Sequence, residues 1–168
     1  DRMYIGHIAG DGALALAGAG ICGPIVTLLT SFGTLVGLGG SITMGIRMGE
    51  KNTKKAEQVL ANSFLMLSIF SVLLTVSFLL LKSRLLMWFG ASETTFPYAN
   101  TYLTIYTAGT FFALMATGLN SFINCQGFAF MGMFTVLLGP GCNIVLDPVF
   151  IFGFHLGIAG AAVATVIS

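Results

Sequence analysis

Long stretches without charged residues divide this sequence. No Asp, Glu, Lys or Arg occurs in residues 12–46, 58–81, 94–146 or 148–168. The hydrocarbon core of a bilayer is ~30 Å thick, and a helix needs about 20 apolar residues to cross it. The first and second stretches each hold one such helix, whereas the third is too long for one helix and must turn back once. The pattern predicts an all-α integral membrane protein, a polytopic helical bundle.

Turn-forming residues set the approximate limits of the predicted spans. Gly10, Asp11 and Gly12 precede the first span, and Gln126 and Gly127 separate the last two full spans. Glycines and polar clusters of this kind interrupt helical patterns. The sequence therefore predicts four full spans and, after a turn at residues 153–157, the start of a fifth; the full spans cover residues 13–47, 57–80, 98–123 and 130–152.

The composition supports a membrane protein and excludes several other classes. Apolar residues make up 56% of the chain and charged residues 8%, against ~25% charged residues in a soluble domain. The net charge of +1 provides no basic face for a nucleic acid. The three cysteines include no CxxC pair, so neither a disulfide framework nor a zinc site is expected. No nucleophile–base pair, phosphate loop or cofactor motif occurs, so we expect neither an enzyme nor a bound cofactor.

The loops predict an orientation. Four basic residues lie in the 47–57 loop, against two in the 82–97 loop on the opposite side. Because cytoplasmic loops carry an excess of Lys and Arg, the 47–57 loop is expected in the cytoplasm of a plasma-membrane protein. The chain begins at Asp1 and ends in an apolar run, so we expect it to be part of a longer protein.

Small and hydroxyl-bearing residues follow one face of the predicted helices. Gly33 and Gly37 stand at GxxxG spacing, and Tyr106, Thr110 and Thr117 share one stripe. Such residues let helix backbones approach closely, which makes helix packing one interpretation. A polar wall facing an internal cavity is the other, because a polar stripe facing lipid is unfavourable.

Asp147 is the most informative residue. It is the only formal charge after Glu93, and a carboxylate at membrane depth usually marks an ion or proton path. Asn143 lies one turn earlier on the same helical face. Carboxylate and amide oxygens suit a proton or a hard cation such as Na⁺, and no other metal site is expected. A protonated Asp147 that only hydrogen-bonds a neighbouring helix is the structural alternative. Asp1 is a second candidate, because residues 1–6 look like the end of a span.

Several segments resemble the multidrug and toxic compound extrusion (MATE) transporters. The resemblance is carried by NIVLDPVFIFG, GIAGAAVATVIS, LNSFINCQGFAFMGM and GGSITMGIRMGEKNTKKAEQVLANS, at residues 143–153, 157–168, 119–133 and 39–63. It covers the whole chain. The family fold has twelve helices in two bundles of six, which implies that residues 1–168 form a partial N-terminal transmembrane bundle, from the end of the family's first helix to the start of its sixth.

The resemblance also implies a function and a set of site residues. Family members are antiporters that exchange H⁺ or Na⁺ for amphipathic, often cationic compounds. The implied partners are such compounds, the lipid bilayer and the C-terminal bundle of the same parent chain. The implied cation-coupling residues are Asp147, Asn143, Asp1 and Thr165, with Tyr102 and Asn120 lining the cavity. Two alternatives remain: a lipid-linked oligosaccharide flippase of the same fold superfamily, and a non-transporting membrane subunit.

Overall fold

The structure, a computed structural model, describes residues 2–7 and 12–168 as helices and short connections without any strand. This confirms the predicted all-α bundle. In chain order the helices are α1 (Arg2–Ile5), α2 (Gly12–Gly49), α3 (Thr53–Trp88), α4 (Phe96–Ala108), α5 (Thr110–Cys125), α6 (Ala129–Pro148), a π-helix (Val149–Gly153) and α7 (Ile158–Ile167).

Several of these helices are long and apolar enough to cross a membrane. Within the described residues three qualify by length and composition, namely α2, α3 and the continuous segment Ala129–Gly153, and a fourth span results if α4 and α5 count as one broken span. α2 has 38 residues and α3 has 36, which makes them about 57 and 54 Å long at 1.5 Å per residue. Their ends therefore extend beyond a ~30 Å hydrocarbon core.

The helix bounds differ from the sequence prediction in two places. The span predicted at 98–123 is broken at Gly109, where a Cβ atom would lie 2.5 Å from both γ-carbons of Val166 on α7. α3 continues through Lys82 to Trp88, where the sequence predicted a loop from residue 82. The Lys82 ammonium donates a hydrogen bond of 3.0 Å to the Thr104 hydroxyl. A long lysine stem can lie along an apolar helix while its charged end reaches a polar partner. The α3 helix therefore continues past the charge of Lys82.

The described chain folds into two compact units. The first contains the described residues up to Thr27, together with Thr75–Gly109 and Leu138–Ser168. In this unit α7 packs against both α4 and the π-helix. A Cβ on Gly160 would lie 2.7 Å from the carbonyl carbon and oxygen of Phe150, so the start of α7 rests directly on the backbone of the π-helix.

The second unit contains Leu28–Leu74 and Thr110–Leu137. Its buried apolar residues form two clusters, comprising Val36, Leu67, Leu114 and Met115 in one and Met44, Ala56 and Phe122 in the other. α2 and α5 meet backbone to backbone, since a Cβ on Gly37 would lie 2.6 Å from the carbonyl oxygen of Gly118. On α2, Gly33 lies one turn before Gly37 and faces Leu114 and Thr117 of α5. Helix packing therefore explains this pair of glycines.

Candidate cation site

The candidate site lies in the first unit and is centred on the end of α6. Asp147 is completely buried, although most of the residues that precede it on α6 are exposed. Pro148 ends the α-helix directly after it, and the next five residues form a π-helix. A proline has no N–H to donate to the preceding turn, and single turns of π-helix occur frequently at functional sites. The backbone around Asp147 therefore departs from regular helix geometry at the one carboxylate of this segment.

Tyr102 on α4 and Thr165 on α7 lie in the same unit as this carboxylate. Their side chains are hydrogen-bonded to each other, and Tyr102 lies within electrostatic range of Asp147. The Thr165 hydroxyl donates a 2.8 Å hydrogen bond to the carbonyl oxygen of Ala161, which leaves its oxygen oriented to accept from the phenol. Asp147, Tyr102 and Thr165 thus lie on three helices of the same unit, and their common role in a cation site stays a prediction.

Tyr106 is a neighbour that the sequence argument did not assign to the site. Its ring stacks on that of Tyr102 with 6.4 Å between the ring centres, and both tyrosines are buried. The spacing of the two tyrosines indicates this contact, because residues four apart on a helix lie above one another on the same face. The sequence instead placed Tyr106 on a general polar stripe. Stacked aromatic rings hold Tyr102 in one orientation and limit the directions in which its hydroxyl points.

Asn143 lies one turn before Asp147 on α6 and is half-buried. Residues four apart lie on the same helical face, so Asn143 is the amide side chain next to the carboxylate along α6. Its role stays a prediction. Asp1, the remaining carboxylate of the predicted set, falls outside the described residues.

Asn120 serves a different part of the fold. It belongs to the second unit, where its amide nitrogen donates to the carbonyl oxygen of Gly132 at 2.9 Å and to the hydroxyl of Thr135 at 2.7 Å. Its amide oxygen accepts a 2.9 Å hydrogen bond from Asn124. These bonds brace the connection between α5 and α6, and the cavity-lining role of Asn120 stays a prediction.

Asp147 is the carboxylate of the candidate site that the structure describes. Within the part of the chain that the structure describes, no three His, Cys, Asp or Glu residues gather as a metal site. Which ion the site binds, H⁺ or Na⁺, stays a prediction.

A sequence model of the MatE family matches residues 1–149, which is most of the chain. The chain belongs to the MatE family. The match includes the carboxylate Asp147 and the long helices α2 and α3.

Individual MatE relatives extend the similarity to nearly the whole chain. The multidrug export protein MepA of Staphylococcus haemolyticus (strain JCSC1435) is 30% identical over 165 residues, which cover 98% of this chain and 36% of the relative. MepA of Staphylococcus aureus (strain NCTC 8325 / PS 47) is 29% identical over 148 residues, covering 86% of this chain and 32% of the relative. The chain therefore spans about a third of the length of these curated relatives.

Solved MATE structures share the fold. A crystal structure of MATE in the bent conformation superposes with a TM-score of 0.92 and 29% identity, covering 99% of this chain and 37% of that chain. The inward-facing conformation of a multidrug resistance MATE family transporter of the MOP superfamily gives a TM-score of 0.92 and 29% identity over 99% of this chain and 38% of that one. The chain is thus a multi-pass membrane protein of a multidrug efflux transporter family.

Proposed function

We propose that this chain forms part of a cation-coupled multidrug efflux antiporter of the plasma membrane. In this proposal the transporter exchanges H⁺ or Na⁺ for amphipathic, often cationic compounds, and Asp147 is the residue that binds the coupling ion. The observation that carries the proposal is the complete burial of Asp147, which is the one formal charge after Glu93. A buried acid at membrane depth is costly, so a purely structural role gains little from it.

The proposed mechanism follows from the two charge states of the carboxylate. With H⁺ or Na⁺ bound, Asp147 is effectively neutral and fits an apolar environment. Without the ion it is charged, and it is stabilised only where water or a cationic substrate reaches it. A transporter with two arrangements of its helices shifts toward the one that suits the present charge state, by as much as the binding energies of the two arrangements differ.

Two irregular points in the backbone of the first unit are suited to this change. The π-helix follows Pro148 directly after Asp147, and the break at Gly109 ends α4, which packs against α7. Irregular backbone at membrane depth is tolerated where it is buried in protein or lines a cavity. Small movements at these two points would change the access of water and ions to the carboxylate.

A transport assay tests the proposed function. The intact transporter is reconstituted in vesicles, and efflux of a fluorescent lipophilic cation is followed under a Na⁺ gradient alone and then under a pH gradient alone. One of the two gradients is expected to drive transport against the concentration of the dye. If neither gradient drives it, the antiporter proposal fails. Movement of lipid-linked oligosaccharide in the same vesicles would support the flippase, and the absence of any transport would support a non-transporting subunit.

A further inference from the structure

The second unit carries a groove between α2 and α3 that is separate from the candidate cation site. The groove has a volume of about 380 Å³, which falls within the usual range of ligand pockets. On α2 it is lined by Leu35, Gly39 and Thr43, and on α3 by Asn62, Met66 and Phe70. Both helices are membrane spans by length and composition, so the groove lies at membrane depth.

Gly39 creates the open space in this groove. It is exposed, and a Cβ atom built on it would meet nothing within 4 Å. Gly40, the next residue, is packed differently, because a Cβ there would lie 2.5 Å from both Phe122 and the Ser63 hydroxyl. Gly40 thus allows the helices to approach each other closely, whereas Gly39 leaves a channel along their outer face.

The groove is partly polar in one half and apolar in the other. Its polar side chains, Thr43, Asn62 and Ser63, all lie in the half toward the 47–57 loop, which also contains Val59, whereas the half that contains Leu35 and Phe70 is apolar. Val59 to Phe70 covers about 16 Å of α3, and Leu35 to Thr43 covers about 12 Å of α2, at 1.5 Å per residue. Half of a bilayer's hydrocarbon core is about 15 Å thick. The groove therefore has the length of one acyl chain in one leaflet, with its polar end at the headgroup side.

The loop beyond the polar end is positively charged. Arg47 is paired with Glu50 at 2.9 Å, and Lys51, Lys54 and Lys55 are exposed beside it. Glu57, also exposed on the first turns of α3, is the other carboxylate in this region, so four cations face two carboxylates. Clusters of this kind next to a membrane span attract anionic lipid headgroups.

We propose that the groove between α2 and α3 binds one anionic phospholipid, with an acyl chain along Gly39 and Met66 and its phosphate near Lys51, Lys54 and Lys55. Asn62 lies between these two parts, at the level of the glycerol and ester groups, where its amide can donate to an ester carbonyl. A polar side chain exposed at membrane depth needs such a partner. The charge of the loop and the length and polarity gradient of the groove all fit this one lipid.

Photo-crosslinking in lipid nanodiscs tests this site. The intact transporter is irradiated with a phosphatidylglycerol that carries a diazirine near the end of one acyl chain, and separately with the matched phosphatidylcholine. Mass spectrometry then maps the labelled peptides. Phosphatidylglycerol is expected to label residues 35–43 and 59–70 several-fold more than phosphatidylcholine. The double change Lys54→Gln and Lys55→Gln should reduce its labelling to the phosphatidylcholine level, because each lysine near an anionic headgroup contributes about a five-fold factor and the two together about 25-fold.

Two glycine variants separate the groove from general contact with lipid. Gly39→Leu places a side chain in the groove, where its Cβ meets nothing within 4 Å, and should reduce phosphatidylglycerol labelling of both ranges to the phosphatidylcholine level. Gly20→Leu is the matched control, since a Cβ on Gly20 of the same helix also meets nothing within 4 Å, and it should leave labelling unchanged. Unfolding curves are recorded for both, so that a folding defect is not mistaken for a filled groove. Equal labelling by the two lipids, unchanged labelling in a folded Gly39→Leu variant, or no labelling of either range would overturn the proposal; the last result would mean that other polypeptide covers the groove.

Discussion

Gly37 provides a sharp test of how α2 packs against α5. A Cβ on Gly37 would lie 2.6 Å from the carbonyl oxygen and 2.8 Å from the Cα of Gly118. Both contacts are with backbone, so no side-chain rotation can relieve them. Gly37→Ala must therefore push the two helices apart, and we expect a loss of stability of about 1–3 kcal/mol, the usual cost of overpacking by small groups.

Gly39→Ala is the control for this change. Gly39 is two residues away on the same helix, and a Cβ there meets nothing within 4 Å. Both variants gain the same helix propensity of alanine over glycine, so this contribution cancels in the difference between them. The free energy of unfolding is measured for the purified protein by denaturant titration. The expected difference of about 1–3 kcal/mol corresponds to roughly a five- to 160-fold change in the unfolding equilibrium. Equal stability of the two variants would refute the close contact of α2 and α5.

Two further predictions concern orientation and the candidate site. In a background without native cysteines, Lys54→Cys should resist a membrane-impermeant thiol reagent in intact cells while Glu93→Cys, at the other end of α3, reacts; the reverse pattern would contradict a cytoplasmic 47–57 loop. Tyr102→Phe removes the hydroxyl that bonds Thr165 and keeps the ring stacked on Tyr106. A buried hydrogen bond contributes about 0.5–1.5 kcal/mol, so the apparent affinity for the coupling ion should fall about two- to ten-fold in the gradient assay, and an unchanged affinity would exclude Tyr102 from the site.

The sequence predicted the membrane bundle well because charge is costly in a bilayer. The gaps between charged residues mark the long helices α2, α3 and Ala129–Gly153 directly. The break at Gly109 could not be predicted in the same way, because its neighbour Val166 is 57 residues away in the chain and meets it only through the fold. The extension of α3 beyond Lys82 was missed because a charge looks like a loop signal until its partner Thr104 is known.

The candidate site shows the same division between local and distant information. Asp147 and Asn143 share one helix face, so their association follows from sequence spacing alone. The pairing of Tyr102 with Thr165 depends on the packing of α4 against α7, which no local pattern reveals and which only the family resemblance implied. The bonds of Asn120 to Gly132 and Thr135 likewise depend on how the chain turns between α5 and α6, which the spacing of residues did not reveal.

Asp147→Asn in the intact transporter tests the central claim most directly. The amide resembles the neutral, ion-loaded carboxylate and cannot release a proton or provide a charge for Na⁺. Glu93→Gln is the matched control, because it removes an exposed carboxylate from the loop before α4. The rate of efflux is measured in vesicles with an imposed gradient of the coupling ion. In the Asp147→Asn variant this rate is expected to fall at least ten-fold, while the variant still folds and binds the dye. The Glu93→Gln variant is expected to transport at the rate of the unaltered protein. Full gradient-driven efflux by a folded Asp147→Asn variant would contradict the account and assign Asp147 to helix packing.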